Sequence, residues 1–439
     1  MTPQDAANTD DQGKPAPRIL FPNRSLIDPN PKTIDELIPH DHKARLVWSL
    51  VENLDLTPLY DEIQSVEGHP GRPAIDPRIL VALWLYATDE HIASAHELAR
   101  RCGDCDPYKW ICGGVHVNYH TLSDFRVQHP GWLGEQVVSN IAAMRAEGLT
   151  SLNKLGQDGM RVRANAGSDS FKSAQKLDQL RQEAEQQWDR LQDEFEQEEQ
   201  LSPRQVAARK RAARERLERI KQAQEEVKKV AEQRERRKKG DGQAARASTT
   251  DPETRKMKMA DGGYRPAYNV EFATDLDSLT IVGDDVINAG TDAGQMEPMV
   301  EQIEADQEPL PSDAEYYADG GFTTQEDIEQ VSERGLTLYA PVKVGARQKR
   351  EGTSQYKARP TDKKHVARWR ERMGTPAAQE KYKQRSKTEF PNATSRNRGL
   401  HQFLVRGLEK VKTVVKWYVL IHNLLRMVAL RAERRLKAA

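Results

Sequence analysis

Apolar residues recur at helical spacing through the first third of the chain. The stretch IDELIPHDHKARLVWSLVENLDLTPLYDEI begins at Ile34, and DPRILVALWLYATDEHIASAHELARRC repeats that spacing behind Asp76-Pro77, a pair suited to start a helix. VNYHTLSDFRVQHPGWL follows, with Thr121 and Ser123 near a helix start. Short helices with polar turns between them suit a plain bundle or a DNA-reading helix-turn-helix. The period then changes. NKLGQDGMRVRANAG, residues 153–167, reads as a strand with Asp158 at its middle between Gly156 and Gly159.

About eighty residues of a different character follow. An acidic run carries Leu177, Leu180, Ala184, Leu191 and Phe195 on a heptad-like stripe, and a basic run carries Leu217, Ile220, Val227 and Val230. They meet at Ser202-Pro203, a capping serine and a helix-opening proline, which predicts an antiparallel coiled-coil hairpin with oppositely charged arms. Strand patterns resume in AYNVEFATD and LTIVGDDVINAG, a hairpin turning at Asp275 to Ser278. A helix (AGQMEPMVEQIEAD), a strand (AEYYAD), a helix (TQEDIEQVSERG) and a strand (LTLYAPVK) complete the order. The apolar stretch Val414 to Leu430 contains Lys416, His422 and Arg426, and reads as a buried helix rather than a membrane span.

This order predicts an α/β fold, a mixed sheet covered by helices. Asp158 and Asp319 then fall on neighbouring strands. Asp319 precedes Gly320-Gly321, so a turn role explains it alone. Two carboxylates brought together, however, repel each other unless a cation intervenes, and Mg²⁺ with substrate phosphate is the natural occupant.

Charge sharpens the picture only when read locally. Over 439 residues the formal net charge is +0, which would argue against a polyanionic partner. Yet Lys343 to Lys387 holds basic residues in large excess, with Tyr356, Trp369 and Tyr382 interleaved, as a solvated loop or as a phosphate-binding stretch. The first 32 residues read as a disordered arm without a secretion signal. Three cysteines point to a reducing, cytoplasmic compartment. Cys102, Cys105, Cys112 and His116 have spacing a zinc ion accepts but lack paired knuckles. Asp292 is expected to cap the next helix or, lying near the sheet end, to support the site, and Asp284 and Asp285 are expected to be exposed.

The spacing Tyr382, two residues, Arg385, three residues, Glu389, six residues, Arg396 resembles the Tyr-Arg-Glu-Lys signature of bacterial insertion-sequence transposases of the DDE class, with Arg396 where the family usually has Lys. The resemblance extends to WICGGVHVNYHTLSDFR, GQDGMRVRANAG, MKMADGGYRPAYNVEFATD and RNRGLHQFLVRGLEKVKTVVKWYVLIHNLLRM. It implies an RNase H-like catalytic domain at 151–171 and 246–439, a helical DNA-binding domain at 33–150 and a coiled-coil insertion at 172–245. It further implies Asp158, Asp319 and Glu389 as catalytic and metal-binding residues for two Mg²⁺ ions, with Mn²⁺ able to substitute. Tyr382, Arg385 and Arg396 would hold phosphate around the scissile bond. Arg347, Lys349, Arg350, Lys363, Lys364 and Arg368 would track the backbone of double-stranded DNA, both element ends and target. Sequence preference would rest on the segment from His120 to Arg126. The implied setting is the bacterial nucleoid, as a homodimer or higher oligomer on DNA. A metal-dependent nuclease without strand transfer and a non-catalytic regulator are the rival readings. Pro391, two residues beyond Glu389, predicts that the Glu389 helix starts or kinks there.

Overall fold

The computed structural model describes residues 19–26, 32–68, 71–194, 202–344, 352 and 354–438. Among the described residues, seven α-helices precede the main sheet: Lys43–Val51, Thr57–Asp61, Pro77–Asp89, Ala95–Asp104, Asp106–Cys112, Tyr119–Gln128 and Pro130–Ala146. Asp76 caps the third as its sequence suggests, its Oδ1 accepting the Arg78 amide at 2.9 Å and the Tyr60 hydroxyl at 2.5 Å. That helix is buried from Ile79 to Asp89, so its neighbours wrap it on every side. The Leu408–Ala438 helix, long and apolar enough to cross a membrane by length and composition, is instead buried in the protein through most of Val411 to Met427. Trp417 at its centre donates to the Arg126 carbonyl at 2.9 Å. The apolar cores of the helical segment and of the sheet therefore merge into one cluster. Burying each large side chain there contributes about 1.5–3 kcal/mol.

The main sheet has six strands: β1 (Lys154–Arg163), β2 (Arg255–Lys258), β3 (Tyr264–Asp275), β4 (Ile281–Ile287), β5 (Glu315–Ala318) and β6 (Thr337–Tyr339). The order is β6-β5-β1-β3, with β2 and β4 both paired to the far edge of β3. β1, β5 and β6 run parallel, while β3 is antiparallel to β1, with Asp158 opposite Phe272. The β3–β4 turn is held by Asp275, whose Oδ1 accepts the Asp277 and Ser278 amides at 3.1 and 2.7 Å. From the closing helix, Asn423 brackets Ile281 with two hydrogen bonds, Arg426 donates to the Ser278 carbonyl and His422 bonds the Leu279 carbonyl at 2.9 Å.

Between β1 and β2 the chain forms two helices, Ala174–Glu194 and Pro203–Arg237. The second opens at Ser202 with a capping box closed by Gln205. The pair runs antiparallel, as Gln224 to Asp178 (2.5 Å) and Arg216 to Gln187 (2.8 Å) show. Their shared apolar contact, Leu177, Ala223 and Val227 with Ala245 and Ala247, lies at the base. Glu226 there meets Arg255 of β2 at 2.5 Å, both nearly buried.

Candidate active site

Asp158 and Asp319 are brought side by side by strand register. β1 and β5 pair from Lys154 with Glu315 to Gln157 with Ala318, so the next residue on each strand is an aspartate. Asp158 Oδ1 accepts its neighbouring Gly159 amide at 3.0 Å and Oδ2 accepts Asn392 Nδ2 at 3.0 Å. Burial pushes the Asp158 carboxyl above its ordinary range, Arg385 pulls it down, and the Asp319 charge pushes it up again. Asp319 Oδ1 accepts the Gly321 amide at 2.5 Å.

The third element reaches this pair because β1 is bare at Gly156. A methyl group there would lie 2.4 Å from Thr388 Cγ2 and 2.8 Å from Leu276 Cδ2. The 3₁₀ turn Lys383–Thr388 packs into that gap and delivers the helix Glu389–Asn397 over Asp158. Pro391 sits in the first turn of this helix, where its missing amide costs no helical hydrogen bond. The helix starts at Glu389, one of the two outcomes its sequence allows. Asn392, one turn on, was not singled out from sequence; its spacing of three from Glu389 places both on one helix face.

Glu389 itself points to Arg385, at 3.4 Å, and its side chain is 67% exposed. Tyr382 is half-buried, and burial raises its phenol, an effect Arg385 opposes and Asp319 reinforces. Among the described residues, no three His, Cys, Asp or Glu side chains stand close enough to hold one metal ion. The donor set nevertheless fits a hard cation. Asp158 and Asp319 are adjacent like charges, Asn392 Oδ1 is buried without a partner, and the exposed Glu389 carboxylate has room to turn.

Several sequence expectations are corrected here. Asp292 does not cap the following helix, Met296–Asp306, whose N-cap is Gln295. It accepts Asn269 Nδ2 at 2.7 Å and pairs with Arg161 at 3.4 Å, and its carboxylate lies beside Asp319 across Gly321. Glu271, on β3, is buried next to it and also takes the Asn269 amide, at 2.6 Å. Burial first, and Asp292 second, raise the Glu271 carboxyl well above its ordinary range. Asp284 is buried and paired with Lys416 at 3.3 Å, where an exposed residue was expected. In the basic stretch, Trp369 is core, donating to the Ala340 carbonyl at 3.2 Å, so it is closed to a nucleobase. Lys363, Lys364 and Arg368 are exposed, while Arg347, Lys349 and Arg350 lie outside the described residues. Arg126 is buried over the Trp84 ring, leaving His120, Ser123 and Asp124 as the exposed positions of the segment from His120 to Arg126.

Residues 32–128 match the family described as Transposase domain (DUF772), and residues 240–424 match the Transposase DDE domain, which takes in Asp319 and Glu389. No curated protein and no solved structure matches the chain. The two matches stand in chain order, together cover more than half of its length, and the second includes the Tyr382-Arg385-Glu389-Arg396 spacing. The chain belongs to the insertion-sequence transposases of the DDE class.

Proposed function

We propose that this transposase binds the ends of its element, hydrolyses a phosphodiester bond there and joins the freed 3′-hydroxyl to target DNA. The observation that carries this reading is the adjacency of Asp158 and Asp319 on parallel neighbouring strands, with the Glu389 helix seated over them through Gly156. The order β4-β3-β1-β5-β6 supports an RNase H-like reading of the sheet, with one aspartate on the central strand and one at the end of its parallel neighbour. Asp158, Asp319 and Glu389 would hold two divalent cations, Mg²⁺ by the preference of an all-oxygen donor set. Bound there, such ions supply an activated water or hydroxyl and stabilise the departing oxygen.

The protein's own residues have separable tasks. Arg385 and Arg396 bind phosphate oxygens, and release of Arg385 to the phosphate would free the Glu389 carboxylate. Asn392 holds the Asp158 carboxylate in position. Residues 33–150 would contact DNA from the helical side, and the helical pair between β1 and β2 would form a coiled-coil hairpin.

The test is purified protein with Mg²⁺, a duplex carrying the element end, and a supercoiled plasmid. Wild type should nick the end and join it to the plasmid. D158N and D319N should each lose both steps by at least about 10³-fold while binding the end within a few-fold of wild type. Nicking without any joined product would favour the simple nuclease.

A further inference from the structure

A cationic groove of about 740 Å³ starts at Gly159, next to Asp158, and reaches from alternate residues of β1 to the β2–β3 hairpin. Arg161, Arg163, Lys258, Arg396 and His401 line it. Arg163, Lys258 and Arg396 are exposed and make no ion pair among the described residues. The one carboxylate in the lining, Asp261, is taken by Arg265 at 2.8 Å. At the tip of the β2–β3 hairpin Tyr264 pairs in register with Lys258 and is 66% exposed.

We propose that this groove holds the sugar-phosphate backbone of target DNA during joining. This rests on the transposase reading above and adds a surface for the second substrate. Joining requires two DNA segments to meet at one pair of carboxylates. The sheet places a basic surface on each side of that pair: Lys363, Lys364 and Arg368 beyond the β6 edge, and the groove on the β1–β3 side. The groove offers guanidinium, ammonium and imidazole groups together with an exposed ring. Contacts of such cations to phosphate oxygens carry no base code, and an aromatic face stacks on any unstacked base. A surface that tolerates every sequence suits a target, whereas an element end must be read. Its start beside Asp158 brings a bound backbone within reach of the reacting atoms.

The experiment uses full-length wild type and R163Q/K258Q, neither position belonging to the carboxylate site. Three measurements are made: nicking of an uncut end, joining of a pre-nicked end to plasmid, and the salt dependence of binding to random duplex. Joining should fall at least tenfold while nicking stays within about threefold. The log-log salt slope should drop by about two, close to one for each cation removed. Retained nicking also shows that the variant is folded. Equal losses in nicking and joining, or no loss in joining, would overturn the assignment. If wild type neither nicks nor joins, the transposition reading fails on its own, and an unchanged salt slope then overturns the groove as a DNA surface.

Discussion

At the residue scale the site depends on an absence. Gly156 has no side chain because Thr388 and Leu276 occupy that space. Gly156→Ala should destabilise the fold by about 1–3 kcal/mol, the usual cost of overpacking, and should lift the Glu389 helix from Asp158. Thr388→Ser removes the methyl that collides, so the double variant should recover part of the lost melting temperature and of the nicking rate. Thermal unfolding of the four proteins forms a double-mutant cycle, and a coupling near zero would contradict the packing described. The adjacency of Asp158 and Asp319 was legible in the sequence because strand patterns mark them locally, and the Tyr-Arg-Glu spacing marks Glu389 as the candidate third carboxylate. Asn392 and Glu271 were not, and Asp292 could be read either as a helix cap or as a support for the site. Their roles come from register between β1, β3 and the loop after β4, which no local pattern encodes. Trp369 misled for a related reason, since a basic stretch with aromatics looks alike whether the ring faces solvent or packs under a strand.

At the element scale the closing helix holds the β3–β4 turn, and that turn supports the site. Leu276 touches the Gly156 position, and Lys387 donates to the Leu276 carbonyl at 2.9 Å. His422 is buried, and that burial pushes its imidazole down to about 4. Between that value and its ordinary 6.5 the folded chain binds fewer protons there than the unfolded chain. Stability therefore falls as pH drops from about 6.5 to about 4, by up to roughly 3 kcal/mol from this group. Melting temperature against pH should show the slope, and His422→Gln, which cannot titrate, should flatten it. From β3 to β6 the strand-helix order was readable from period, but the short strand β2 and the helices Lys364–Met373 and Pro376–Tyr382 were not. The side chains by which the closing helix grips the turn were not, because Leu279 to His422 spans 143 positions.

At the scale of the whole molecule, the helical pair between β1 and β2 shares little with the main core. Its apolar cluster lies at the base, separate from the main one, and the buried Ala184, Ile220 and Ala213 continue along the two helices. Replacing residues 188–213 by a short turn should leave the melting temperature within a few degrees, since lengthening or shortening a closed loop changes its entropy only slowly. Glu226→Ala should cost more, roughly 3 kcal/mol, because it strands Arg255 in a nearly buried position. Calorimetry on both variants separates the two parts of the pair.

The Glu226–Arg255 contact also makes the long helix a pointer. The run from Pro203 to Glu226 is roughly 35 Å long, so a tilt of about two degrees at its foot sweeps the far end by about 1 Å. That foot bears on β2, three residues from Lys258. A spin label at the exposed Ala208 would thus amplify displacements too small to see at the strand itself.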